Sequence, residues 1–85
     1  MGKLLHLPNI GQELEKKLLA AGIDSPERLR EKGSRNAFVK IKTIDSSANF
    51  DMLLSLEGAV QGLLSDELEI QTTSELKEFM EIFNQ

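Results

Sequence analysis

The chain has 85 residues, 40% of them apolar and 28% charged, and a formal net charge of −4. A chain this short makes one domain and buries only about 60–65% of its unfolded surface, so its stability margin is small. It has no cysteine and one histidine, which excludes disulfides, a thiolate metal site and a cysteine nucleophile, and no apolar run approaches the ~18–20 residues of a membrane span.

From the N-terminus, Lys3–Leu7 is short and apolar and is expected to lie against the core ahead of a turn at Pro8. Proline fixes φ and lacks an amide hydrogen, so it suits a turn or a helix start, and it pushes Leu7 towards extended backbone. Asn9 tolerates left-handed backbone and can bond its own main chain two residues on, and Gly11 permits close backbone approach. Ile10, Leu14 and Leu18 recur every four residues, which predicts a first helix over about Ile10–Ala21. Gly22 is a natural helix stop, and Ile23 after it should plug inward.

Leu7-Pro8-Asn9-Ile10-Gly11 ahead of a helix resembles the hairpin of helix-hairpin-helix domains. There the turn amides hold a nucleic-acid phosphate, much as a helix N-terminus holds an anion. Asn9 stands where that motif has its first glycine. Two readings of Asn9, Ile10 and Gly11 are therefore open: a phosphate-contacting turn, or a hairpin that only packs.

Ser25-Pro26-Glu27 is a strong helix start, with Ser25 as N-cap and Pro26 in the first helical position. This helix spans about Pro26–Lys32, stops at Gly33 and offers Leu29 to the core. Ser34 is expected to cap a third helix over about Arg35–Lys42, with Ala37, Phe38 and Ile41 inward and Lys40 and Lys42 outward.

The longest helix is predicted over about Ala48–Leu63, started by Ser46 or Ser47. Met52, Leu53, Leu56, Ala59, Val60, Leu63 and Leu64 fill a broad apolar arc, which makes it the central helix. Gly58 and Gly62, four apart, would let a neighbouring helix approach closely. Glu57 at the edge of the arc needs a partner, because burying an unpaired charge is costly. Basic side chains, His6 and the Asn9–Gly11 amides are the candidates, and a structural role outweighs a catalytic one. Thr72-Thr73-Ser74-Glu75 fits a capping box, and Leu76, Phe79, Met80 and Phe83 give a helical stripe with Glu75, Glu78 and Glu81 on the exposed side.

Charge is divided along the chain: residues 1–44 carry +4 and residues 45–85 carry −8. An acidic whole opposes strong phosphate-driven binding, while the basic half, with Lys16, Lys17, Arg28 and Arg35, leaves room for it. The halves could also attract each other, or a second copy head to tail.

The ordered landmarks resemble the C-terminal domain of the TfoX/Sxy family of competence regulators. They are the Leu7–Gly11 turn, Gly22-Ile23 followed by Ser25-Pro26-Glu27-Arg28-Leu29, Gly33 before a short helix, and Leu56-Glu57-Gly58-Ala59-Val60-Gln61-Gly62. The resemblance covers about Leu5 to Phe83. It implies an all-α, compact bundle of about five helices of the helix-hairpin-helix or SAM-like kind. It also implies a bacterial regulatory role in DNA uptake and competence transcription, exerted with a transcription activator. Two features depart from the family. Its aromatic-rich segment after the Leu-Glu-Gly helix is here Leu63-Leu64-Ser65-Asp66, and its usual N-terminal domain is absent, as in a free-standing copy.

The expected function is a non-enzymatic regulatory or protein-interaction module whose partner belongs to the transcription machinery. The alternative is sequence-independent DNA backbone binding through Leu7–Gly11. No catalytic residue, cofactor, metal or membrane contact is expected. The expected location is the cytoplasm, and monomer and dimer are both open.

Overall fold

The computed structural model describes residues 3–84, and Met1, Gly2 and Gln85 lie outside the description. A single 3-10 turn at Leu4–His6 leads into α1 (Gln12–Ala20), α2 (Pro26–Ile44) and α3 (Phe50–Gln61); a second 3-10 turn at Ser65–Glu67 precedes α4 (Ile70–Phe83). The described residues form an all-helical globule without strands. No helix among them is long and apolar enough to cross a membrane.

Four α-helices replace the expected five. The segments expected as separate helices before and after Gly33 meet there without a linker and are counted together as α2; the backbone does leave helical space at Gly33 (φ 81°, ψ 160°), the stop expected of it, and re-enters it at the next residue. With no linker, the two arms share one element with a sharp bend. Ser34 therefore does not stand outside a helix as its cap. It is buried in the inner wall of the bend.

Other boundaries shift for local reasons. α1 starts two residues later than expected, with Gly11 at its N-cap, so Ile10 is a buried residue of the turn. It ends in a Schellman motif: the Ile23 amide donates to Leu18 O at 2.8 Å and the Gly22 amide to Leu19 O at 3.0 Å, with Gly22 left-handed at φ +83°. Ser25 does cap α2, its side chain accepting from the Arg28 amide.

α3 starts at Phe50, not near Ala48. Ser47 bonds the Asp45 carboxylate through both its amide and its hydroxyl. Asn49 is left to cap, accepting from the Met52 amide at 3.1 Å. α3 also ends sooner than expected. Gly62 takes the left-handed stop position (φ 78°), so Leu63 and Leu64 lie beyond the helix. The expected capping box at Thr72–Glu75 is absent. Leu68 is buried as an anchor, Leu68 and Glu69 are extended, and the first α4 bond runs from the Thr73 amide to Glu69 O. Thr72, Thr73 and Ser74 thus lie inside the helix.

The core gathers Leu4, Ile10, Leu14, Leu18, Ile23, Leu29, Ala37, Phe38, Ile41, Ala48, Leu53, Leu56, Ala59 and Leu76. α3 is its centre, packed against α2, α4 and the second 3-10 turn. α4 offers the stripe expected of it, with Leu76 fully buried and Phe79, Met80 and Phe83 half-buried. Phe83 meets Phe38 edge-on at 5.9 Å between centroids and stacks with Phe79 at the same distance.

Candidate functional site

Pro8 turns the chain so that Asn9 adopts left-handed backbone at φ 70°, the one non-glycine residue with positive φ among those described. Asparagine tolerates this region better than most residues because its short polar side chain can bond locally. Here the side chain bonds at long range instead. Its Nδ2 donates to Leu63 O at 2.9 Å and Ser55 O at 3.3 Å, and its Oδ1 accepts from the Ser65 amide at 3.0 Å. The Leu7–Gly11 turn is thereby clasped onto the C-terminal end of α3.

The clasp explains Gly58. A Cβ there would lie 2.4 Å from Asn9 Nδ2 and 2.5 Å from Leu63 O. The close approach expected at Gly58 and Gly62 is thus made at Gly58, by a side chain and the Leu63 carbonyl just beyond the helix rather than by a neighbouring helix. Gly62 faces open space, and its φ of +78° is what requires glycine. Gly11 needs neither freedom: its φ is −96° and nothing lies within 4 Å of where a Cβ would be. It leaves the start of α1 without a side-chain cap.

Glu57 finds its partners in neither the basic residues, His6 nor the turn amides. One carboxylate oxygen accepts from the Ser34 hydroxyl and the other from the Gln61 amide. The Ser34 bond crosses from α3 to the inner wall of the α2 bend and satisfies a hydroxyl that would otherwise be costly to bury.

The four basic candidates do not form one free cationic surface. Lys17 is ion-paired with Asp45. That contact joins the basic and acidic halves, and together with Ser47 it holds the Asp45 carboxyl well below the usual carboxylate range. Arg28 pairs with Asp24 in an exposed i,i+4 bridge at 3.1 Å. The Arg35 guanidinium lies over the Phe79 ring, 6.0 Å from its centroid. Lys16 is exposed and makes no ion pair among the described residues. Lys42, expected to point outward, donates to Ser46 O and Ala48 O and ties down the α2–α3 loop.

A family model for the TfoX C-terminal domain matches residues 1–80. The chain belongs to that family. Two crystal structures resemble this TfoX C-terminal domain closely. One is an uncharacterized protein from Listeria monocytogenes in a triclinic form, with TM-score 0.93 and 43% identity, covering 95% of this chain and 92% of the other. The second is a protein of unknown function from Listeria monocytogenes in a tetragonal form, with TM-score 0.92 and 44% identity, covering 94% and 98%. No curated protein matches the chain.

The sequence marks Asn9, Gly58 and Glu57, but it offers the Asn9 turn as a partner for Glu57 rather than for Gly58. The signal that could have joined Asn9 to Gly58 is chemical. An asparagine in a turn and a mid-helix glycine are both explained if the amide sits where a Cβ would be. The Ser34–Glu57 bond was missed because Ser34 beside Gly33 reads equally well as a cap.

Proposed function

We propose that this TfoX C-terminal domain is a non-enzymatic regulatory module that works by contacting another protein. The observation that carries the reading is the Asn9 clasp. The side chain standing in the glycine place of a phosphate-holding hairpin is bonded to the end of α3. Lys17, Arg28 and Arg35 likewise have partners within the chain, and the net charge of −4 disfavours polyanions. Family membership supports a role in bacterial competence regulation beside the transcription machinery, in the cytoplasm, on a helix-hairpin-helix or SAM-like scaffold. His6 is an exposed side chain of the first 3-10 turn, which suits a surface residue better than an acid–base group.

Sequence-independent DNA backbone binding is the second reading. It draws on the uncapped start of α1, where Gly11 contributes no side-chain bond, and on Asn9 holding a glycine-like φ of 70°. Titration with random duplex DNA at ~50 mM and ~200 mM salt, followed by amide NMR shifts, decides between the two, because phosphate contacts weaken steeply with salt. We expect no binding at the lower salt. Salt-sensitive binding that moves the Asn9–Glu13 amides would overturn the protein-contact reading in favour of the second.

A further inference from the structure

Two exposed patches on different halves of the chain are apolar and carry opposite charge. The first is a shallow pocket where the end of α1 meets the end of α2, lined by Ala20, Ala21, Lys40, Thr43 and Ile44. Ile44 is 56% exposed, so the pocket has an apolar wall open to water. Its lining contains no carboxylate. Lys40 stands one turn before Ile44, and exposed Lys16 stands one turn before Ala20. Neither lysine is in an ion pair among the described residues. Asp45, next along the chain, is neutralised by Lys17.

The second patch is on α4. Ile82 is 65% exposed on the side away from Leu76. Helical spacing sets it on one face with Gln71, Glu75 and Glu78, all exposed. It is an apolar knob with two carboxylates, Glu75 and Glu78, along its face, as the first patch is an apolar pocket with Lys40 in its lining. Complementary potentials of this kind fix partner choice and register.

We propose that the partner of the module is a second copy of the chain, docked head to tail, with Ile82 of one copy seated in the Ala20–Ile44 pocket of the other. The inference rests on the protein-contact reading and names that partner. Charge complementarity selects the occupant, since each patch carries what the other lacks. Because the patches differ, the contact is heterologous, and it builds a ring if the rotation closes and a short open chain if it does not.

The test is sedimentation velocity on the whole chain across a concentration series, with Ile44→Glu, Ile82→Glu and an equimolar mixture of the two. Both isoleucines are exposed, so each variant should keep the melting temperature of the parent. The parent should associate reversibly as its concentration rises, and each variant alone should stay monomeric. The mixture should form a 1:1 dimer and no larger species, because one variant retains an intact knob and the other an intact pocket. A parent that stays monomeric throughout overturns the proposal, as do variants that associate like the parent and a mixture that stays monomeric. None of those failures touches the protein-contact reading, which stands or falls on the DNA titration.

Discussion

Gly58 is paired with Asn9 more closely than either is with its sequence neighbours. An alanine at 58 would gain about 1 kcal/mol of helix propensity. Its Cβ would nonetheless fall within 2.5 Å of both the Asn9 amide and a backbone carbonyl. Overpacking of this kind typically costs about 1–3 kcal/mol. We expect Gly58→Ala to destabilise by up to about 2 kcal/mol net in urea unfolding, and Asn9→Gly to recover part of that loss in the double variant. Asn9→Gly keeps the left-handed turn and removes the three side-chain bonds, so the two changes should be strongly non-additive. Additive costs would mean that the clasp and the glycine are unrelated.

At the scale of elements, the bend in α2 sets where everything else lies. Gly33 has φ 81° and ψ 160°, a region close to glycine-only. No atom blocks a Cβ there, so the cost of substitution is backbone strain rather than collision. Gly33→Ala is expected to lower stability by about 1–3 kcal/mol. It should cost more than Gly62→Ala, whose ordinary left-handed conformation costs a non-glycine residue roughly 1–2 kcal/mol. Thermal melts of the two variants compare them directly.

The interior of these elements was legible in the sequence. Leu14, Leu18, Leu29, Phe38, Ile41, Leu53, Leu56 and Leu76 are all buried as their spacing requires, because period alone tells which face is apolar. Ends were less legible. Ser34, Ser47 and Thr72–Ser74 all resemble caps. What decides between them is where each hydroxyl finds its acceptor, and the sequence does not show that Ser34 faces Glu57 or that Ser47 turns back to Asp45. The candidate site was legible as a place, with two readings open: the turn at Pro8–Gly11 is where it was expected, and the asparagine bonds inward to the end of α3.

For the whole molecule, the division of charge is bridged by Lys17–Asp45. Lys17 and Ser47 hold the Asp45 carboxyl below its ordinary range, so the ionised form is favoured by folding. A lowered pKa adds stability above the unfolded value of about 3.9 and loses it as the pH falls through the folded value. Asp45→Asn should therefore be less stable than the parent at neutral pH, with the gap narrowing steadily below about pH 4. The effect will be modest and salt-sensitive, because both side chains remain a quarter exposed. Melting temperatures measured from neutral to strongly acidic buffer check it, and a gap that stays constant with pH would mean that the pair adds nothing through its charge.

The Asn9 clasp also has a consequence in time. Its bonds span 46, 54 and 56 residues, so it shuts a loop that takes in most of the chain. Long closures lose entropy before any contact rewards them, whereas the packing of α2 on α3 joins neighbours in sequence. The clasp is therefore expected to form late, after the barrier to folding, so that Asn9→Ala should speed unfolding and leave refolding nearly unchanged in stopped-flow measurements. Contacts absent at the barrier act on unfolding and leave refolding nearly untouched. On that expectation, three hydrogen bonds at one turn lengthen the life of the native state and hardly change how quickly it is reached.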